Sequence, residues 1–182
     1  PYATEEVSFK NGSFIFNGTL TLPEGYTRKT PVLLMVTGSG QQNRDEELFD
    51  HKPFAVIADA LARGGIATLR YDDRGFGDSS AKQMEWTIED FKSDALAGLG
   101  LLREKFDKVG VLGHSEGGSI AMMIAAEGKA DFIVSLAGMA ISGAETLIWQ
   151  NRVALKGAGF TDEVIDSYCK LLRSEEHTSE LQ

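Results

Sequence analysis

Two patterns of apolar and polar positions follow one another along the chain. Over residues 5–22, EEVSFKNGSFIFNGTLTL, apolar and polar side chains alternate, with Asn11-Gly12 and Asn17-Gly18 punctuating the run. Period-two alternation predicts half-buried strands, and Asn-Gly accommodates the positive φ of tight turns, so short antiparallel strands are expected. From residue 31 the pattern changes. PVLLMVT is continuously apolar, as in a strand covered on both faces. A polar loop, GSGQQNRDEELFDHK, leads to Pro53 and a helical stretch with Phe54, Ile57, Ala58 and Leu61 on one face, closed by Gly64-Gly65. A second apolar strand is expected at 66–71. Thr87 with Asp90 reads as a capping box opening a helix to about residue 106. A third strand, 109–113, runs into HSEGG and an Ala/Met-rich helix to about 127, and a fourth follows at 132–136.

Buried strands alternating with helices predict an α/β fold, a doubly wound and mostly parallel sheet with right-handed crossovers. After Gly143 two further helical segments, 144–157 and 161–172, break the alternation, as the start of an inserted helical lid would. Residues 1–172 are therefore expected to form one domain, incomplete at its carboxyl-terminal side, with no internal repeat.

The chemistry sits where the third strand meets its helix. Gly113-His114-Ser115-Glu116-Gly117 has the form G-x-S-x-G, flanked by a buried strand and a helix. A nucleophile on so tight a turn needs neighbours without bulk, so that the turn closes and a substrate can approach. The hydroxyl then projects above the sheet at the positive end of the helix, and Glu116 N–H can face an oxyanion. A tight structural turn is the plain alternative. His114 adjoins Ser115, but consecutive side chains in a sharp turn diverge, so a hydrogen-bonded histidine beside the turn is expected rather than a general base. His51 is expected at the surface and Cys169 partly buried.

Three ordered blocks, TGSGQQNRDE, RYDDRGFGDSS and GHSEGGSIA, together with their strand–helix settings, resemble the amino-terminal two-thirds of an α/β-hydrolase of the bacterial serine esterase kind. The resemblance implies a serine nucleophile, Ser115, acting through an acyl-enzyme on a small-molecule ester, with no metal or organic cofactor. It implies that Thr37-Gly38-Ser39-Gly40 is the oxyanion loop, with Ser39 N–H paired to Glu116 N–H; Thr37 stands where such loops often carry histidine. Gly38, Gly40, Gly113, His114 and Gly117 would support loop and turn. The charged loops Arg44-Asp45-Glu46 and Asp72-Asp73-Arg74-Gly75 are read as an ion-pair network bracing the oxyanion loop, in preference to direct substrate contact. Asp72 precedes the nucleophile, whereas the family order is Ser, then Asp or Glu, then His, so it is not taken as the triad acid. Other acyl transfers on the same fold (peptide, thioester, acyltransferase) and a non-catalytic binding module stay open.

Composition narrows the partners. A net charge of −9 argues against nucleic acid or an anionic membrane surface as partner. No run of 18 apolar residues is present, so no transmembrane segment is expected, and the three histidines and single cysteine make a metal centre improbable. No signal peptide is visible, but the chain does not begin with Met; oligomeric state and compartment are left open. The last ten residues, RSEEHTSELQ, match at every position the in-frame translation of a common sequencing-library adapter and are read as non-native. On that reading His177 is no triad base, and the acid and base are missing.

Overall fold

The computed structural model describes residues 1–77, 86–139 and 141–179, with side chains as far as Arg173. The chain divides into two compact units, Pro1–Gly138 and Met139–Gln182. The first unit opens with a hairpin of β1(Tyr2–Asn11) and β2(Phe14–Pro23), reversing at Gly12, whose φ is +57°. The expected second turn at Asn17-Gly18 is corrected. Both residues lie inside β2, opposite Ser8 and Val7 of β1. Gly18 also faces Tyr71 of the next strand, and a Cβ there would stand 2.5 Å from the Arg70 carbonyl oxygen. This glycine allows two backbones to approach; it does not reverse the chain.

The four apolar runs become β3(Val32–Val36), β4(Ala67–Tyr71), β5(Val109–His114) and β6(Phe132–Leu136). The six-stranded sheet has the order β1-β2-β4-β3-β5-β6, with β4, β3, β5 and β6 parallel and the hairpin joined antiparallel through β2 and β4. Between the parallel strands run α1(Pro53–Arg63), α2(Ile88–Lys105) and α3(Glu116–Ala126). Strand alternation sends them to both faces. Val32, Leu34 and Val36 share a core with Leu99 and Leu102 of α2 and Ile120 and Ile124 of α3. Leu33 and Met35 face the other way, against Phe54 and Ala58 of α1. The doubly wound, mostly parallel sheet read from the sequence is the one observed.

Helix ends follow their local chemistry. Pro53 opens α1, where its missing N–H costs nothing, and the chain leaves the helix through Gly65 at φ +84°. Thr87 caps α2 reciprocally: Asp90 N–H reaches Thr87 Oγ1 at 3.4 Å, and Thr87 N–H donates to Asp90 Oδ2 at 2.8 Å.

In the second unit, α4(Gly143–Gly157) and α5(Asp162–Ser179) pack through Ile148, Ile165 and Cys169. Cys169 is more deeply buried than expected, at 3% exposure. The helix expected to stop near 172 continues to Ser179, because residues 173–179 contain no glycine or proline to end it. The side chain of His177 and residues 180–182 lie outside the described residues, as do residues 78–80 of the RYDDRGFGDSS block. Among the described residues, no helix is long and apolar enough to cross a membrane.

One charged group is built into the core beside the hairpin. The Arg74 guanidinium donates to both oxygens of Asp94 at 2.6 and 2.7 Å and reaches Asp90 Oδ1 at 3.1 Å. It lies over the ring of Phe14, 4.8 Å from its centroid, with Trp86 and Phe91 beside it. Both members of the Arg74–Asp94 pair are almost fully buried. Removing one member leaves the other charge uncompensated, so Arg74→Ala is expected to lower stability by about 3–5 kcal/mol in urea denaturation. Gly18→Ala forces β2 away from β4 and is expected to cost about 1–3 kcal/mol in the same measurement.

Candidate functional site

Strand β5 passes into α3 with a single residue between them. That residue, Ser115, has φ +52° and ψ −116°, a backbone conformation worth about 1–3 kcal/mol of strain for a side chain other than glycine. Its amide is tied across the sheet, Ser115 N–H donating to the Leu136 carbonyl at 2.9 Å, while its carbonyl accepts from Gly118 N–H at 2.9 Å. Two glycines make the turn possible. A Cβ on Gly113 would stand 1.9 Å from the Gly117 carbonyl oxygen, and one on Gly117 would stand 2.2 Å from the Val36 carbonyl oxygen. Glu116 is the first residue of α3, so its N–H has no acceptor within the helix.

The loop after β3 reaches the same place. A Cβ on Gly38 would lie 3.4 Å from Ser115 Cβ, and Ser39 Oγ approaches Glu116 Oε2 at 3.4 Å. Gly40 turns the loop at φ +91°. Gly38, Ser39, Gln42, Glu46, Leu48, Pro53, His114 and Ser115 line one cleft of about 240 Å³. A larger cavity, about 390 Å³, bordered by Pro23, Glu24, Ala62 and Arg63, contains no nucleophilic side chain.

Sequence reading grouped Glu46 with its charged neighbours, yet it behaves differently. It is buried, at 6% exposure, with φ +51°. Its Oε1 accepts from Gly38 N–H at 2.7 Å and lies 2.9 Å from His114 Nδ1. One carboxylate oxygen thus joins the start of the 37–42 loop to the strand end that precedes Ser115. His114 is half-exposed in the cleft wall, and the Nδ1 side of its ring is committed to Glu46. His51 is exposed in a tight turn, where Leu48 and His51 exchange backbone hydrogen bonds of 3.0 and 2.9 Å.

The remaining charged residues named from sequence stand behind the loop, outside the cleft lining. Arg44 is held by Asp72 through Nη2–Oδ2 at 2.6 Å, by Glu6 of β1 at 2.7 Å, and by Thr19 of β2 at 2.7 Å. The two carboxylates, Asp72 first and then Glu6, raise the Arg44 pKa. On the other side of the ion pair, hydrogen bonds from Thr19 and then Arg44 lower that of Glu6. Asp45 pairs with Arg70 of β4, and Arg74 is turned toward α2, as described above.

Asp73, between Asp72 and Arg74, was not singled out by its sequence context. It is 6% exposed, accepts from Thr37 Oγ1 at 2.9 and 3.1 Å and from Gln42 N–H at 2.9 Å, and its own N–H donates to the Gln42 carbonyl at 3.0 Å. Burial pushes its carboxyl up to about 7, against the opposing pull of the Gln42 and Thr37 hydrogen bonds. The acidic residues at 46 and 73 were visible as letters. Their burial was not, because it depends on how the loops fold over the ends of β3 and β4.

Known proteins resemble this chain in sequence and fold. The chain is 33% identical over 142 residues to the esterase EstD of Thermotoga maritima, an alignment covering 75% of this chain and 34% of that protein. The chain thus spans about a third of the length of that relative. Among solved structures, a dienelactone hydrolase from Anabaena variabilis superposes with a TM-score of 0.61 at 25% identity, covering 75% of this chain and 64% of that one. Est1E from Butyrivibrio proteoclasticus superposes with a TM-score of 0.59 at 18% identity over 81% of this chain and 54% of its own, a likeness of fold. A family model described as serine aminopeptidase, S33, matches residues 51–178, from the end of the loop after β3 through the Ser115 turn to α5. The chain belongs to this serine hydrolase family and has the α/β-hydrolase fold.

Proposed function

We propose that this chain carries the nucleophile and oxyanion loop of a serine carboxylic-ester hydrolase that works through an acyl-enzyme on a small ester. The observation that carries the reading is the strained turn at Ser115, φ +52°, at the amino terminus of α3 and in one cleft with Gly38 and Ser39. Evolution seldom retains a non-glycine residue in such a backbone without a use for it. In this reading Ser115 Oγ attacks the ester carbonyl carbon, and the carbonyl oxygen takes up the negative charge. The Ser39 and Glu116 N–H groups face that oxygen most strongly in the tetrahedral state, which is where such donors contribute to rate. The alcohol leaves with a proton, and water then releases the acid from Ser115.

Proton transfer needs a base, and His114 does not suit the part. Its Nδ1 is engaged with Glu46, and among the described residues it forms no hydrogen bond to Ser115. The reading therefore assigns the base and its orienting carboxylate to residues outside 1–172, and it makes the 182-residue chain alone hydrolytically almost inert. Support for an ester as substrate comes from the likeness to esterase EstD. The family description favours a second reading, cleavage of an aminoacyl amide by the same nucleophile and the same oxyanion donors.

A panel of short-chain p-nitrophenyl esters and aminoacyl-p-nitroanilides separates the two, assayed on the 182-residue chain and on any longer product of its gene. The ester reading expects turnover of esters by the longer product and background rates from the chain. Ser115→Ala is expected to abolish that turnover, a loss of at least about 10⁴-fold, without changing the unfolding transition. Turnover retained by Ser115→Ala would remove Ser115 from the mechanism. His114→Gln keeps a hydrogen-bonding group opposite Glu46 and is expected to retain kcat within about tenfold, whereas loss of a true general base costs about 10²–10⁴-fold or more.

A further inference from the structure

The pairing of β3 with β5 ends at Val36 and Gly113. Beyond that rung the two chains part, β3 into the loop that carries Ser39 and β5 into the turn that carries Ser115. A side chain takes over where the ladder stops. Glu46 Oε1 lies 2.7 Å from the buried Gly38 amide and 2.9 Å from His114 Nδ1. The groups it joins are closely packed: a Cβ on Gly38 would meet Glu46 Oε1 at 3.2 Å, Ser115 Cβ at 3.4 Å and His114 Nδ1 at 3.6 Å.

The backbone around Glu46 is built to aim this carboxylate. Its φ of +51° is a conformation common for glycine, asparagine and aspartate but not for glutamate. Glu46 N–H donates to the Asn43 carbonyl at 2.9 Å, and Asn43 Oδ1 accepts from the amides of Asp45 and Glu47 at 3.0 and 3.1 Å. The Asp45 carbonyl in turn accepts from Phe54 N–H at 3.2 Å, at the start of α1. The turn is thus pinned on both sides of a strained residue whose side chain is 8% exposed. Strain held in place by its surroundings is characteristic of functional positions.

We propose that Glu46 is a positioning residue: by sharing one carboxylate oxygen between Gly38 N–H and His114 Nδ1–H, it fixes the spacing of the Ser39 and Glu116 amides. The proposal rests on the reading of those amides as oxyanion donors. Ser39 follows Gly38 directly and Glu116 stands two residues after His114, so each donor lies close along the chain to a group bound to the same oxygen. Ser39 Oγ and Glu116 Oε2, 3.4 Å apart, bring the same two residues together from the other side. Two donors stabilise one oxygen only when both point at it, and a misplacement of about 1 Å costs about 10²-fold in rate.

The arrangement also dictates where the His114 proton sits. A carboxylate can only accept, so both of its partners must donate, and Nδ1 must carry a hydrogen. Free neutral histidine prefers the opposite tautomer, with the hydrogen on Nε2. The tautomer is therefore a signature of the shared oxygen that mere packing of Glu46 would not produce.

Three variants test the proposal. Glu46→Leu removes the acceptor at similar volume, and Glu46→Gln removes the charge but keeps an oxygen able to accept both bonds. Glu46→Asp keeps the charge, withdraws it by one methylene, and suits the positive φ, so it serves should Glu46→Leu fail to fold. Long-range proton–nitrogen NMR of the 182-residue chain reads which His114 nitrogen is protonated, and amide exchange reads Gly38. In the unsubstituted chain Nδ1 is expected to carry a proton. Glu46→Leu is expected to move that proton to Nε2 and to speed Gly38 exchange at least about tenfold. In any longer gene product that turns over esters, Glu46→Leu is expected to lower kcat about 100-fold and Glu46→Asp about tenfold, with KM unchanged, because the ground-state carbonyl draws little on the donors. Glu46→Gln is expected to stay within about fivefold of the unsubstituted kcat.

A His114 with a bare Nδ1 in the unsubstituted chain would overturn the proposal, as would Gly38 exchange that Glu46→Leu leaves unchanged. With Ser115→Ala inactive, an unsubstituted kcat in Glu46→Asp, or a Glu46→Gln as slow as Glu46→Leu, would overturn the link to catalysis. Turnover retained by Ser115→Ala would instead sink the proposed function, while the NMR still decided whether Glu46 joins loop to turn.

Discussion

Everything at the cleft depends on β5 and α3 being joined through one residue. Strand and helix run in different directions, and a junction this short can be closed only if the backbone at Ser115 enters the positive-φ region. Closure brings the Gly117 carbonyl into the space a Cβ on Gly113 would need, and packs Gly117 against the Val36 carbonyl. The two glycines therefore do more than loosen the turn. They let the end of β3 lie directly against the start of α3, and this close packing is why the loop leaving β3 passes beside Ser115. The strain at one residue and the position of a loop far from it in sequence are consequences of the same packing.

Around this junction the protein uses carboxylates in three distinct ways. Asp72 and Asp94 neutralise arginines, the first tying Arg44 to the end of β4 and the second tying Arg74 to α2. Glu46 accepts from a backbone amide and pairs with His114, so it links the loop to the strand that leads into Ser115, and among the described residues it forms no salt bridge to an arginine or lysine. Asp73 accepts only neutral donors. The adjacent pair Asp72 and Asp73 shows how little the residue type decides. Successive side chains at the end of β4 point to different sides, one toward the hairpin and Arg44, the other into the turn of the 37–42 loop.

Most of the architecture was legible in the apolar pattern. The run PVLLMVT could only be satisfied by a strand covered on both sides, and Thr87 with Asp90 marked a helix start that the hydrogen bonds bear out. Asn17-Gly18 was misread because an Asn-Gly pair suits a tight turn and a crowded strand crossing equally well; which applies depends on Arg70, a residue on another strand. The strand–turn–helix setting around Ser115 was readable, since the glycines of the motif are demanded by local sterics. The roles of Glu46 and Asp73 were not readable. Burial of a carboxyl is a property of the folded loops around it, and nothing in RDE or DDRG distinguishes the acid that meets an arginine from the acid that meets backbone amides.

The Arg44 side chain adds a consequence for how the hairpin should be regarded. Its guanidinium draws one partner from each hairpin strand, Glu6 and Thr19, and a third from the end of β4, so the antiparallel edge of the sheet reaches the loop through a single residue. The hairpin is not a decorative extension on a self-sufficient parallel core. A shortened protein beginning at β3 would retain every residue of the cleft lining and the complete junction at Ser115, yet it would leave Arg44 with only Asp72. In such a protein the loop would keep its sequence but lose part of its footing, and the boundary of the smallest useful domain lies upstream of the residues that line the cleft.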